Sequence, residues 1–424
     1  MHKKIIGSVS KSLSVSILIG IIGFIGSILL ARLLTVEERG IYGILITIIS
    51  LSAIISTISI DQSLIVAVKK KISLNVLLLP FKILPISLVL YIVIFFILVQ
   101  LFNLKNFLEL SLLLLFFSIA YSLFNFLSVT LGSLILKIDY NLWNKFRLSP
   151  HILFLLFLLF AYQNLTAEKA FVFFVTSTII TFFYLVFLLN KKKHLLKKNK
   201  NKLNPKKLLI NSLSYHSNST IRILSERLDQ IFLITFFSPK VLAFYLIGSA
   251  IPKSMIILIQ SVENLLILKF SRIKKLYIKQ VICILPVINF LLLIFFGFLF
   301  FYISDSLIAT VYGSAYFQSS MVLFILILSV PFYLTRLITT SIFKSFQFYK
   351  LIFVNDIIYL IVFLTILLYS NIENNWMYIP IAYTLSQLIA SLSGIIMLIS
   401  KFNLTFSDIF SMKNYKIKFI KLLL

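Results

Sequence analysis

The feature that most constrains this chain is a recurring block of about 20 uncharged, apolar residues, the length an α-helix needs to cross the hydrocarbon core of a bilayer. Within that core no water satisfies backbone polar groups, so a spanning segment must bond internally as a helix or a closed barrel. Continuous blocks of this length read as helices, because a barrel strand would alternate apolar and polar residues. Such cores lie at 13–31, 40–60, 83–104, 110–136, 148–167 and 170–190, and the second half adds 208–237, 241–268, 280–304, 316–343, 351–370 and 376–400. The expected fold is therefore an all-α integral membrane protein with about 12 transmembrane helices. A soluble fold is excluded, since 60% of the 424 residues are apolar.

The formal net charge of +27 would point to nucleic acid in another composition. Here the cations sit between apolar blocks, which makes them topology signals, and no nucleic-acid partner is expected. With a cytoplasmic amino terminus, the segments that fall inside hold 29 Lys and Arg, against 5 in the outside loops (Arg32, Arg39, Lys105, Lys169 and Lys240). The positive-inside rule then places both termini in the cytoplasm. Outside loops such as 103–107 and 238–240 are too short for a domain. The apolar run after Met1, His2, Lys3 and Lys4 lacks a small-residue cleavage pattern and reads as a first span that stays. Cys283 alone permits no intrachain disulfide.

The segment 191–207, KKKHLLKKNKNKLNPKK, divides the chain. On this reading residues 1–190 form an amino-terminal six-helix bundle, 191–207 a basic cytoplasmic linker, 208–400 a carboxy-terminal six-helix bundle and 401–424 a basic cytoplasmic tail. The linker reads as a solvated positive loop, or as a contact for anionic lipid headgroups. The halves open alike, with LLTVEERGIYGILITI from Leu33 and FFSPKVLAFYLIGSAI from Phe236, so that Tyr42 aligns with Tyr245 and Gly40 with Ala243. Six spans per half give both halves one orientation, which is a parallel repeat.

Charges within spans are costly and usually face a polar interior. Arg222, Glu226 and Asp229 fall at i, i+4 and i+7 and share a helix face, whereas Arg227 points elsewhere. Arg222, Lys253 and Arg336 have the chemistry to hold phosphate oxygens in a water-accessible cavity, as substrate-binding residues. Arg222 also has a local partner in Glu226, whereas Lys253 and Arg336 have none in sequence. Glu226, Asp229 and Arg227 are candidates for ion coupling or helix pairing. Asp229 reads either as a cation or proton site or as the partner of Arg227 or Lys253. Asp61 and Asp356 are expected at the membrane interface, meeting cytoplasmic lysines, and Lys82 is expected to snorkel. His151 and His216 lack metal-ligand spacing, so no metal, cofactor or catalytic group is expected. Pro252, Pro286 and Pro331 fall inside expected spans, where proline kinks a helix.

Two stretches, LLARLLTVEERGIYGI from Leu29 and RLDQIFLITFFSPKVLAFYLIGSAI from Arg227, resemble the Wzx-type O-antigen flippases. Those form the polysaccharide-export branch of the multidrug/oligosaccharidyl-lipid/polysaccharide exporter superfamily. Arg227, Asp229 and Tyr245 match the family pattern, while Ser238, Pro239 and Ala243 stand where glycines are usual. The resemblance implies two six-helix bundles around a central cavity in the bacterial inner membrane. It also implies a lipid-linked oligosaccharide as substrate, an undecaprenyl-pyrophosphate carrier, proton or sodium coupling, and delivery to a polymerase or ligase. Its rivals are a cation-coupled drug antiporter, which would need intramembrane carboxylates more than bases, and an O-antigen polymerase or membrane glycosyltransferase. The latter would need a substantial outside loop. A purely structural partner in a polysaccharide-synthesis complex would tolerate neutralisation of its buried charges. No G-x-x-x-x-G-K-[ST] motif supports an ATP-driven pump.

Overall fold

The computed structural model describes residues 2–67, 77–101, 112–161, 165–191, 205–271, 275–372 and 374–404. These are helical throughout, apart from short connections: α1 (His2–Leu33), α2 (Val36–Ser56), α3 (Ile60–Ala67), α4 (Leu79–Leu101), α5 (Leu112–Ile138), α6 (Tyr140–Phe160), α7 (Ala167–Lys191), α8 (Pro205–Phe236), α9 (Pro239–Ser261), α10 (Glu263–Phe270), α11 (Lys275–Val311), a 3-10 turn (Ser314–Tyr316), α12 (Ser319–Ile327), α13 (Ser329–Ser345), α14 (Tyr349–Ile372) and α15 (Tyr378–Lys401). Among the described residues ten stretches are long and apolar enough to cross a membrane; α12 and α13 together make one of them. The fifth and seventh expected spans, α6 and α8, fall outside that set because charged and amide side chains interrupt their apolar runs. Most of the basic linker and tail lies outside the described residues.

Several boundaries differ from expectation for identifiable reasons. The fifth expected span, α6, starts at Tyr140 rather than 148, because Asp139 caps it, its Oδ1 accepting from the backbone N–H groups of Asn141 (3.0 Å) and Leu142 (3.3 Å). The eighth span ends at Ser261 rather than 268, and after Val262 the chain restarts as the short α10. The tenth span, 319–345, breaks at Leu328, three residues ahead of Pro331, whose missing N–H leaves the Ile327 carbonyl without its helical donor. Pro252 and Pro286 do lie inside helices.

The chain packs as two compact units, Met1–Ala243 and Phe244–Leu424. In the first, α2 is the most buried of the spans. Its start is fixed by Thr35, whose hydroxyl accepts from the Glu38 N–H at 3.2 Å, with Glu37 and Glu38 in the positive first turn. Ile60, Leu64, Ile83, Leu134 and Leu185 form the heart of this unit's core. Gly40 brings α2 against the backbone of Pro239, where a Cβ would stand 1.9 Å from the carbonyl oxygen. In the second unit the core gathers Ile278, Ile282, Ile342, Phe343 and Leu398. The outer faces are apolar; on α11, Phe290, Phe295, Phe298 and Phe301 are all exposed, as a lipid-facing surface requires.

One motif occurs twice along the chain. A two-residue connection leads into a span with a buried tyrosine, Tyr42 or Tyr245, and an eight-residue helix with an acid in its first turn follows, Asp61 in α3 or Glu263 in α10. In both, a cation lies over the tyrosine ring: Arg39 at 5.5 Å from Tyr42, and Lys253 at 5.2 Å from Tyr245.

Candidate functional site

In the first unit, α8 packs on α2, α3 and α4. Polar contacts fix it there: Ser63 Oγ donates to the Leu208 carbonyl at 3.2 Å, and Ser59 Oγ lies 3.4 Å from His216 Nδ1. Deeper along α8, Arg227 Nη1 donates to Gln230 Oε1 at 2.8 Å, and the buried Thr47 hydroxyl of α2 reaches the same oxygen at 3.2 Å. Asp229 is 1% exposed, and its Oδ1 accepts from the Gln230 backbone N–H at 2.8 Å. Arg227 thus takes part in a bond network between helices, a role the sequence left open. The side chains of Arg222 and Glu226 lie outside the described residues. Past the second span, burial pushes the Asp61 carboxyl above its ordinary range.

A line of rings joins four helices of this unit. Tyr42 stacks on Phe154 of α6 (6.4 Å between centroids), Phe154 meets Phe174 of α7 edge-on (5.7 Å), and Phe174 meets Tyr121 of α5 (5.6 Å). Towards its amino terminus, α6 carries Trp143 with the Arg147 guanidinium over its ring at 4.5 Å. Arg147 Nη2 also makes a long 3.5 Å hydrogen bond to Ser16 Oγ of α1. A separate hollow lined by Leu45, Ile48, Phe95, Leu114 and Phe171 is apolar and offers nothing to an ion.

In the second unit Arg336 is enclosed by three partners. Its Nη2 lies 2.7 Å from Asp356 Oδ1 on α14, its Nη1 donates to Gln387 Oε1 on α15 at 3.2 Å, and its guanidinium covers the Tyr359 ring at 4.4 Å. This corrects one expectation: Asp356 meets that arginine rather than a cytoplasmic lysine, and gives Arg336 a partner from another helix that it lacks locally in sequence. Beside the pair, Ser393 Oγ donates to Asn355 Oδ1 at 2.6 Å, and Gly394 lets α15 close on Thr339. Gln260 Nε2 donates to the Tyr333 hydroxyl at 2.6 Å, and Lys344 pairs with Glu263 at 2.5 Å, fastening α10 to α13. Among the described residues no three His, Cys, Asp or Glu side chains gather as a metal site.

Sequence reasoning missed Gln230 and Thr47, because nothing local marks an amide that bridges helices. It placed Arg147 in a cytoplasmic segment, although the 3.6-residue spacing of Tyr140, Asn144, Arg147 and His151 on α6 was readable.

Residues 29–322 match the family described as Polysaccharide biosynthesis protein. The chain belongs to that family. The matched region holds all of α2 and α8 and most of the charges above, including Arg39, Arg227, Asp229 and Lys253, whereas Arg336 and Asp356 lie beyond it. No curated protein matches the sequence. Among solved structures, this member of the Polysaccharide biosynthesis protein family is similar to the lipid II flippase MurJ in an inward closed conformation. That likeness has a TM-score of 0.68 at 16% identity, over 97% of this chain and 91% of that one. It is also similar to an inward-facing multidrug resistance MATE family transporter of the MOP superfamily, with TM-score 0.62 at 12% identity over 94% and 99% of the two chains. A third likeness is to a point mutant of the Vibrio cholerae MATE transporter VcmN, with TM-score 0.57 at 13% identity over 96% and 98%. At these identities the likeness is one of fold, the two-bundle helical membrane fold, and the protein is a multi-pass membrane protein.

Proposed function

We propose that the chain is a flippase that carries an undecaprenyl-pyrophosphate-linked oligosaccharide, an O-antigen or capsular repeat unit, from the inner to the outer leaflet of the bacterial cytoplasmic membrane. Membership of the Polysaccharide biosynthesis protein family, across 29–322, is the observation that carries this reading. The MurJ-like fold and the basic side chains set within the spans support it. It is a transporter rather than an enzyme, driven by a proton or sodium gradient, with both termini cytoplasmic, and it hands its product to a polymerase or ligase.

Arg222 and Lys253 are the cations offered to the pyrophosphate. Arg336 supplies hydrogen-bond donors rather than net charge, because Asp356 neutralises it. Glu226 and Asp229 are the candidates for ion coupling, whereas Arg227 pairs helices through Gln230 and Thr47. The division into bundles 1–190 and 208–400, joined by the basic linker, belongs to the same proposal.

The test is complementation of a bacterium that lacks its own O-antigen flippase, scored as polymer restored at the surface. Wild type restores it, while Arg222→Ala and Lys253→Ala at equal expression restore it at least about tenfold less, as expected for loss of a charge-assisted bond to phosphate. Equal activity of all three overturns the site assignment. Export of organic cations with no polymer would favour the antiporter.

A further inference from the structure

Helix α6 carries a polar stripe that the contacts described so far leave without a purpose. Tyr140, Asn144, Arg147 and His151 recur at i, i+4, i+7 and i+11, so they share one face, and Phe154 continues that face to its stack on Tyr42. The stripe therefore faces protein at its far end, not lipid. Asn144 is 4% exposed, yet among the described residues neither its amide nitrogen nor its amide oxygen finds a bonding partner. Buried amides are almost always paired, so an unpaired one with both donors and acceptor idle is a place prepared for something else.

One turn on, Arg147 is held rather than neutralised. Trp143 lies beneath its guanidinium at 4.5 Å, with the Tyr140 ring 5.6 Å from that indole, and Ser16 takes one N–H at 3.5 Å. Among the described residues no carboxylate pairs with Arg147. A planar fork with most of its donors unspent, fixed flat by an indole and set beside an amide, has the chemistry to receive a phosphate oxyanion. His151 on the next turn continues the stripe to about 16 Å from Tyr140 by the helix rise.

We propose that Arg147 and Asn144 form a loading site in the first unit, which takes the pyrophosphate of the polyprenyl-linked substrate at the cytoplasmic side. The proposal rests on the flippase reading and deepens it, by naming where the headgroup first binds. The guanidinium takes the oxyanion, the Asn144 amide donates to a second oxygen, and His151 extends the polar path towards the span's centre. Lys145, exposed on another face of α6, takes no part.

Binding of undecaprenyl pyrophosphate to the purified full-length protein in nanodiscs tests this, with undecaprenyl monophosphate, phosphatidylglycerol and inorganic pyrophosphate as competitors. Arg147→Gln weakens binding about tenfold or more, Arg147→Lys recovers part of it, and Lys145→Gln leaves it unchanged. Asn144→Leu separates function from structure: it weakens binding several-fold while raising Tm, because it removes an unpaired buried amide. Unchanged affinity in Arg147→Gln, or a lowered Tm in Asn144→Leu, overturns the proposal. So does equal competition by phosphatidylglycerol, which would make this a bulk-lipid contact. If Arg147→Gln still binds and flips, the loading site fails and the flippase reading stands. If wild type neither binds nor flips the polyprenyl pyrophosphate, both fail together.

Discussion

At the scale of single residues, the charges within the spans divide by their partners. Arg336 and Asp356 form a closed pair whose carboxylate side chain is 44% exposed, so water still screens it. Neutralising one member leaves the other unpaired in a low-dielectric setting, at a cost discounted for that exposure to about 1–2 kcal/mol. Arg336→Gln and Asp356→Asn each lower Tm, and the double variant recovers most of the loss; strictly additive losses in thermal unfolding would deny the coupling. Gly40 is decided by space: the Cβ of Gly40→Ala would meet the Pro239 carbonyl oxygen at 1.9 Å. Backbone cannot yield as a side-chain tip does, and the expected loss is about 1–3 kcal/mol or more, read as a Tm several degrees lower. Sequence alone revealed the periodicity of Arg222, Glu226 and Asp229. It could not reveal that Arg336 meets Asp356, because they lie on different helices and only tertiary packing joins them. Asn144 was invisible for the opposite reason, since what marks it is a bond that is not made.

At the scale of elements, apolar runs located the spans well, and the misses have physical causes. Lys145 and Arg147 made the start of α6 look like a loop, yet Asp139 caps the helix ahead of them. The break at Val262 carries no glycine or proline and so left no local signal. Helix ends tell the same story. The Schellman turn after α15 uses Asn403 at φ 48, a residue suited to that conformation, whereas the turn after α13 uses Gln347 at φ 60. There the Phe348 N–H donates to the Phe343 carbonyl at 2.8 Å and the Gln347 N–H to the Lys344 carbonyl at 3.2 Å. Gln347 is exposed, so Gln347→Gly removes the left-handed strain and little else. It stabilises the protein by about 1 kcal/mol, offset in part by the unfolded chain's greater freedom. A Tm at or below wild type would refute this account of the turn.

At the scale of the whole molecule, the sequence repeat at Tyr42 and Tyr245 reappears as a motif that occurs twice, a span, a break and a short helix with an acid in its first turn. A match across 29–322 places the chain in the Polysaccharide biosynthesis protein family, and its fold is shared with a lipid II flippase and with MATE transporters; transport of a lipid-linked sugar is the reading we propose. The substrate's chemistry is the central claim. Its most direct measurement uses proteoliposomes holding a fluorescent undecaprenyl-pyrophosphate disaccharide, bleached from outside by a membrane-impermeant reductant. The account predicts that bleaching continues past the outer-leaflet half in liposomes with the wild-type chain, and stops there in protein-free liposomes and for a labelled phosphatidylglycerol. Bleaching that stops at the half with wild type present, in vesicles of either ion-gradient polarity, would contradict it.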